Sequence, residues 1–146
     1  MLKRVPPLIT PELLHALASM GHGDDLALVD AHFPASRVAH QGQNRLIRLP
    51  GLSVTQVLDA VLQLLPIDEA GSGCAWTMQV MNNPNEVPQA VSAINGVLAS
   101  SGHAQAATLE RFAFYEQAMK AFVVVQTGDT RTYANVMLRK GLVHHD

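Results

Sequence analysis

Charged side chains are scarce in this chain of 146 residues. They make up 15% of the sequence, whereas about 25% is usual for a soluble protein, so we expect further copies of the chain to cover part of its surface. The 12 acidic residues outnumber the 10 lysines and arginines, and the net charge is −2. Because no basic stripe is present to bind a phosphate backbone, nucleic acid is not an expected partner.

Long hydrophobic runs and paired cysteines are also missing. The most apolar stretches, at 62–67 and 122–125, fall far below the roughly 18 residues of a membrane span, so we expect no membrane association. Two prolines and Glu12 interrupt the N-terminal segment, which argues against a secretory leader and favours the cytoplasm. A lone Cys74 cannot form an internal disulfide or supply a thiolate metal site by itself.

Signatures of several enzyme classes are absent as well. The sequence contains no G-x-S-x-G elbow, no Walker loop and no G-x-G-x-x-G fingerprint, so nucleophilic, phosphoryl-transfer and dinucleotide chemistry lose their usual support. It also lacks a compact zinc motif such as H-E-x-x-H.

What is present is an alternation of helical and strand patterns. Thr10 before Pro11 is a typical start of a helix, and Gly21 suits the position after its end. Ser53 and Gln56 form a capping box ahead of a second helix that we expect to end at Pro66. Further helices are predicted at 87–98 and 111–120, strands at 26–29, 44–49, 76–80, 121–125 and 135–138, and a loop at 71–73. The pattern predicts an α/β fold: a single three-layer domain over residues 1–146, with helices packed on both faces of a central, mixed sheet.

Two histidines and an aspartate lie where a site would be expected. His22 stands between two glycines, which permit close approach of a ligand, and an imidazole titrates near neutral pH as a general acid or base requires. The alternative is a helix cap whose imidazole faces water. Asp30 and His32 follow the strand at 26–29, at the carboxyl end where α/β sheets bind ligands. They can instead cap a loop or, with His22, hold a divalent metal.

A second group of polar and aromatic residues has the composition of a carbohydrate site. Arg111 precedes three aromatic residues within 111–116. A planar guanidinium can bind sugar hydroxyls, and flat rings can cover the CH faces of a sugar, although some of the rings must also anchor a helix to the core. Tyr133 and Asn135, ahead of the last strand, add groups that both donate and accept hydrogen bonds.

Five ordered blocks carry a resemblance that covers nearly the whole chain. They are Pro7-Leu8-Ile9-Thr10-Pro11-Glu12-Leu13-Leu14, Met20-Gly21-His22-Gly23-Asp24, Asp30-Ala31-His32-Phe33-Pro34, Arg111-Phe112-Ala113-Phe114-Tyr115-Glu116, and Thr127-Gly128 through Tyr133-Ala134-Asn135. Together they resemble the family of L-fucose mutarotases and D-ribose pyranases. The third and fourth blocks are similar to the fucose branch, the last has a form common in the ribose branch, and residues 71–103 match poorly.

The resemblance implies a mutarotase, free of metal and cofactor, that interconverts the α and β anomers of L-fucopyranose. His22 would then be the proton donor, and the monosaccharide would be bound by Asp30, Arg111, Tyr133, Ala134 and Asn135. It also implies a homo-oligomer, typically a decamer of two pentameric rings with sites near subunit boundaries. The alternatives are a D-ribose pyranase acting on pyranose and furanose forms, and a non-catalytic sugar-binding ring protein; an imidazole between two glycines favours an enzyme over the latter.

Overall fold

The computed structural model describes residues 1–67 and 73–145, which form five helices and six strands. The helices are α1 (Pro11–Ser19), α2 (Ala35–Gly42), α3 (Val54–Leu62), α4 (Gln89–Ser100) and α5 (Arg111–Met119). The strands are β1 (Asp25–Val29), β2 (Arg45–Leu49), β3 (Ala75–Met78), β4 (Ala107–Leu109), β5 (Val123–Thr127) and β6 (Val136–Arg139).

The strands form one mixed sheet in the order β2-β5-β1-β6-β3-β4. β6 runs antiparallel to both of its neighbours, and the other pairings are parallel. The carboxyl ends of β1, β3 and β5 therefore lie at the same edge of the sheet as the beginning of β6. This edge is where open α/β sheets place their ligands.

Helices cover both faces of the sheet, so the predicted three-layer α/β fold is confirmed. On one face α1, α3 and α4 pack against alternate residues of the strands, such as Leu26 and Leu28 of β1. On the other face α2 and α5 pack against Ala27 and Val29 of the same strand. Because both faces are covered, β1 is buried at every position, as a continuous apolar run predicts.

Two capping signals place their helices correctly. Thr10 accepts a hydrogen bond from the Leu13 amide at 3.2 Å, and Ser53 and Gln56 form both bonds of a capping box. Their ends were predicted less well. α3 ends at Leu62, before Pro66, and after α1 the residue with positive φ is Gly23 rather than Gly21.

Other differences from the predicted elements come from tertiary contacts. Both α2 and the edge strand β4 were missed. α2 has no side-chain cap at Pro34 and is held by burying Ala35, Val38 and Ala39, while β4 is three residues long with two of them exposed. β3 stops at Met78, before Val80, and all four of its residues are buried because helices cover both of its faces.

Two further predictions concern a loop and the lack of a membrane-spanning helix. The predicted loop at 71–73 lies outside the described residues, apart from Gly73. No helix among residues 1–67 and 73–145 is long and apolar enough to cross a membrane.

Candidate functional site

A pocket opens at the carboxyl edge of the sheet, beside β1, β3 and β6. It encloses about 240 Å³, slightly less than the range usual for drug-sized ligands. Its lining consists of Asp30, His32, Phe33, Met78, Arg111, Tyr115, Thr132, Tyr133 and Asn135. The structure thus brings together four of the predicted sugar-binding residues, although up to 105 positions separate them in the sequence.

The pairing of β1 with β6 explains how the most distant of these residues meet. Leu28 lies opposite Val136, and the same antiparallel register continued by two positions places Asp30 opposite Ala134. The Asp30 amide donates to Asn135 Oδ1 at 2.9 Å, which fixes the end of β1 to the start of β6. Two residues that lie 105 positions apart in the sequence therefore form one wall of the pocket.

The Asp30 carboxyl is the buried acidic group of the site, with only 4% of the residue exposed. Burial raises its pKa, because the charged form loses water. Hydrogen bonds from the amides of His32 (3.0 Å), Phe33 (2.9 Å) and Ala134 favour the ionised form and oppose that rise. These donors hold the carboxyl in one orientation, as an acceptor of sugar hydroxyls requires.

Arg111 enters the pocket from the first turn of α5. Its Nε donates to the Tyr115 hydroxyl at 3.0 Å, one helical turn further on, and this bond raises the pKa of Arg111. The guanidinium carbon lies 5.5 Å from the centre of the Tyr115 ring and 5.6 Å from that of Phe112, so it is stacked as well as hydrogen-bonded. The cation is therefore presented in a defined position although it stands at the surface.

An aromatic wall completes this side of the pocket. The rings of Phe33 and Tyr115 meet edge to face at 5.3 Å, and Phe33 also contacts Phe114 in the core. Phe114 is fully buried, which confirms that part of the aromatic block anchors the helix. Sequence reasoning did not single out Phe33, Met78 or Thr132 as pocket residues. The sequence feature that could have identified Phe33 as a pocket residue is its position directly after the Asp30-Ala31-His32 segment.

The segment before β6 is shaped by backbone geometry and a charged pair. Tyr133 adopts a left-handed conformation (φ 60°), and its hydroxyl accepts a hydrogen bond from the Met81 amide at 3.1 Å. Asp129 binds Arg131 Nη2 at 2.7 Å and the Val54 amide at the start of α3 at 3.0 Å. The Arg131 hydrogen bond is the main cause of the lowered pKa of Asp129.

The roles available to Ala134 differ from those of its neighbours. Its side chain is fully buried, so it offers no side-chain surface to a ligand. Its amide instead bonds the Asp30 carboxyl. Any contribution of Ala134 to binding a sugar would therefore act through its backbone and Asp30.

The two candidate histidines lie at different ends of the molecule. His32 lines the pocket and its Nε2 donates to the Thr130 carbonyl at 3.1 Å. His22 is exposed and lies before β1, whereas Asp30 lies after it. The five residues of β1 separate them by about 16 Å at roughly 3.3 Å per residue. Within one chain, the structure does not bring His22 to the pocket.

The same separation bears on the metal alternative. Since His22 is remote, it does not form a ligand set with Asp30 and His32. No group of three histidine, cysteine or acidic residues suited to a metal occurs within the described ranges 1–67 and 73–145.

The pocket has the chemistry of a site for a small polyhydroxyl ligand. It combines a buried carboxylate, a stacked guanidinium, an amide and a phenol with two aromatic rings, all converging on one small volume. Fold and pocket together thus define an α/β protein that binds a small polar molecule at the carboxyl edge of a mixed sheet.

Comparison with known proteins identifies the family. The model of the RbsD / FucU transport protein family matches residues 3–143 of this chain. A human protein named fucose mutarotase is 44% identical over 146 residues, covering 97% of this chain and 94% of the relative. The chain belongs to the RbsD / FucU family, which confirms the resemblance seen in the five sequence blocks.

A solved structure agrees with this assignment, and a second shows the same fold. The crystal structure of the fucose mutarotase from Streptococcus pneumoniae in complex with L-fucose has a TM-score of 0.89 at 35% identity, covering 98% of this chain and 100% of that one. Bacillus subtilis RbsD complexed with D-ribose has a TM-score of 0.75 at 18% identity, covering 99% and 100%, and shares the fold.

Proposed function

We propose that this protein is an isomerase that interconverts the α and β anomers of L-fucopyranose. The observation that carries the proposal is the convergence of Asp30, Arg111, Tyr133 and Asn135 in one pocket of a chain whose relatives are fucose mutarotases. Asp30 accepts hydrogen bonds from sugar hydroxyls, Arg111 donates to them, and Tyr133 and Asn135 do both. Phe33 and Tyr115 cover the apolar face of the ring.

Each half of the reaction, ring opening and ring closure, consists of two proton transfers, and neither half needs a redox step. An acid protonates the ring oxygen while the proton of the anomeric hydroxyl is removed, the bond between C1 and the ring oxygen breaks, and an aldehyde forms. The former ring oxygen is now a hydroxyl group. After rotation about the C1–C2 bond, this hydroxyl adds to the other face of the aldehyde carbonyl and closes the ring. A positioned acid and base contribute about 10²–10⁴-fold to such a step, which suits a reaction that also proceeds unaided.

His22 is proposed as the proton donor to the ring oxygen, and its position requires a second copy of the chain. It lies at the opposite end of β1 from Asp30, so it reaches a bound sugar only when a neighbouring copy presents that end to the pocket. Each active site would then combine the pocket of one subunit with the His22 loop of the next.

Such a head-to-tail contact closes into a ring, and exposed apolar side chains support it. Met81 and Phe112, 50% and 63% exposed, stand beside the pocket. Leu142 and Val143, 57% and 61% exposed, follow β6 at the end where His22 lies. We propose a decamer of two pentameric rings, each subunit a single domain over residues 1–146, acting in the cytoplasm. Sedimentation of the purified protein measures the assembly.

Saturation transfer between the two anomeric protons tests the activity itself. With L-fucose and catalytic amounts of protein, we expect transfer that disappears in His22→Ala. Arg111→Ala should chiefly raise the half-saturating sugar concentration, since this residue binds rather than reacts. Transfer with D-ribose alone would favour the pyranase, and no transfer with either sugar would favour a binding protein.

Mixed oligomers test whether the site is shared. His22→Ala and Asp30→Asn are each expected to be inactive, but subunits co-expressed with different tags should regain activity. If subunits mix at random, about a quarter of the shared sites combine an intact His22 with an intact Asp30. Mixed oligomers that stay inactive would show that both residues serve the same site of one subunit.

A further inference from the structure

Lys140 follows β6 and is anchored to the end of helix α1. Its Nζ donates to the Leu17 carbonyl at 2.8 Å and to the Met20 carbonyl at 2.6 Å. Both carbonyls belong to the last turn and cap of the helix, which has no basic residue of its own in its last turn. A lysine here satisfies acceptors that the helix itself leaves open and interacts favourably with the helix dipole.

The backbone of the same residue anchors the loop that follows α1. The Gly23 amide donates to the Lys140 carbonyl at 2.9 Å, and the Lys140 amide donates to the Asp24 carbonyl at 2.9 Å. Within the loop, the Gly21 amide donates to the Asp24 carboxylate at 2.7 Å. Gly21 to Asp24 thus form a tight turn that is attached on both sides to Lys140.

His22 lies at the tip of this turn. Met20, before the turn, is bound by the Lys140 side chain, and Gly23 and Asp24, after His22, are bound by its main chain. Gly23, with φ +89° and nothing near its missing side chain, offers little resistance to movement by itself. The bonds that hold the two ends of the turn therefore contribute to placing His22, and the Lys140 side chain is the part of this anchor that lies outside the turn and can be substituted.

We propose that Lys140 is a positioning residue for His22, acting on catalysis through the loop and not through contact with the sugar. The inference rests on the proposed function, since it gives His22 the role of acid. Loss of the ammonium would release Leu17 and Met20 and let the turn move. A displacement of about 1 Å at a reacting group costs about 100-fold in rate, so Lys140→Met is expected to lower kcat by about 10- to 100-fold.

The sugar pocket lies at the other end of the subunit, so KM should stay nearly constant. Lys140→Met is expected to change the half-saturating concentration of L-fucose less than about twofold. Lys140→Arg, which keeps donors for both carbonyls, should retain most of the activity. Lys120→Met is the matched control, because Lys120 is exposed at the end of α5 and its loss removes the same charge without touching the loop.

Two measurements separate positioning from a general loss of structure. Measured at high protein concentration, the residual rate left in His22→Ala should not fall further in the double variant Lys140→Met/His22→Ala, because Lys140 acts only through His22. In mixed oligomers, Lys140→Met should regain activity with Asp30→Asn, as His22→Ala does, and should not regain it with His22→Ala.

Several results would overturn the role of Lys140. They are an unchanged kcat in Lys140→Met, a KM effect larger than the kcat effect, and a further loss in the double variant. Should Lys140→Met fail to fold, Lys140→Gln keeps a shorter donor and is expected to show a partial loss of kcat at unchanged KM; a normal kcat there would equally refute the role. A fully active His22→Ala would instead refute the role of His22 as the acid, whereas a parent protein without activity on L-fucose would refute the proposed function.

Discussion

The hydrogen bond between Asn135 and the Asp30 amide provides a quantitative test of how the pocket is built. Asn135→Ala removes Oδ1, the acceptor that lies 2.9 Å from the Asp30 nitrogen. Both residues are buried, with 3% and 4% of their surface exposed. The Asp30 amide would then lose its partner in a place that water reaches poorly, and the carboxyl of the site would lose a fixed point in its backbone.

The expected cost follows from the desolvation of that donor. A buried group left without a partner costs about 1–3 kcal/mol of unfolding free energy. For a chain of this size that corresponds to a fall in Tm of about 2–12 °C. Sugar binding should weaken as well, because Asn135 lines the pocket and Asp30 next to it becomes less well oriented.

Denaturant unfolding and fucose kinetics at one protein concentration measure both effects, since assembly makes unfolding depend on concentration. Asn95→Ala is the matched control. It removes the same kind of bond, which the Ala106 amide donates to Asn95 Oδ1 of helix α4 at 3.0 Å. The control should lose some stability and keep normal KM and kcat. An unfolding free energy within about 0.5 kcal/mol of the parent in Asn135→Ala would refute the reasoning.

Two further predictions concern charged residues around the pocket. Arg131 lowers the pKa of Asp129, so its contribution is present at neutral pH and is lost as pH falls through the lowered folded-state pKa. Arg131→Met should therefore cost about 1 kcal/mol at pH 7 and progressively less as the pH falls below the ordinary aspartate range and through the lowered folded-state pKa, as measured by denaturant unfolding; a cost independent of pH would contradict this. Tyr115→Phe removes the acceptor of Arg111 Nε and should raise KM for L-fucose with little change in kcat. A fall in kcat at constant KM would show that Tyr115 acts in the reaction itself.

Much of the secondary structure could be predicted because its causes are local. The cap at Thr10 and the capping box at Ser53 act within three residues, so they can be recognised without knowing the fold. The apolar runs of β1 and β5 likewise predict buried strands, although β5 begins at Val123 and ends at Thr127, two residues later than the predicted 121–125. α2 and β4 were missed because their stability comes from partners: α2 buries a small apolar stripe against α5 and the sheet, and β4 pairs with β3.

The candidate site divides in the same way. Residue types suited to a sugar were recognisable from the sequence as separate groups: a carboxylate after a strand, an arginine beside aromatic rings, and a phenol and an amide before the last strand. That these groups form one pocket depends on β6 running antiparallel beside β1 and on α5 beginning next to the end of β3. Strand order is a long-range property, and no local pattern contains it.

The sequence by itself therefore determined the helices and strands with local signals, the α/β class and the chemical character of the site. Only the tertiary structure decided that Asp30 meets Asn135 across 105 positions and that His22, eight residues before Asp30, lies at the other end of the sheet. The physical reason is that a strand advances about 3.3 Å per residue. A short separation in sequence along β1 therefore becomes a long distance, whereas strand pairing makes a long separation short.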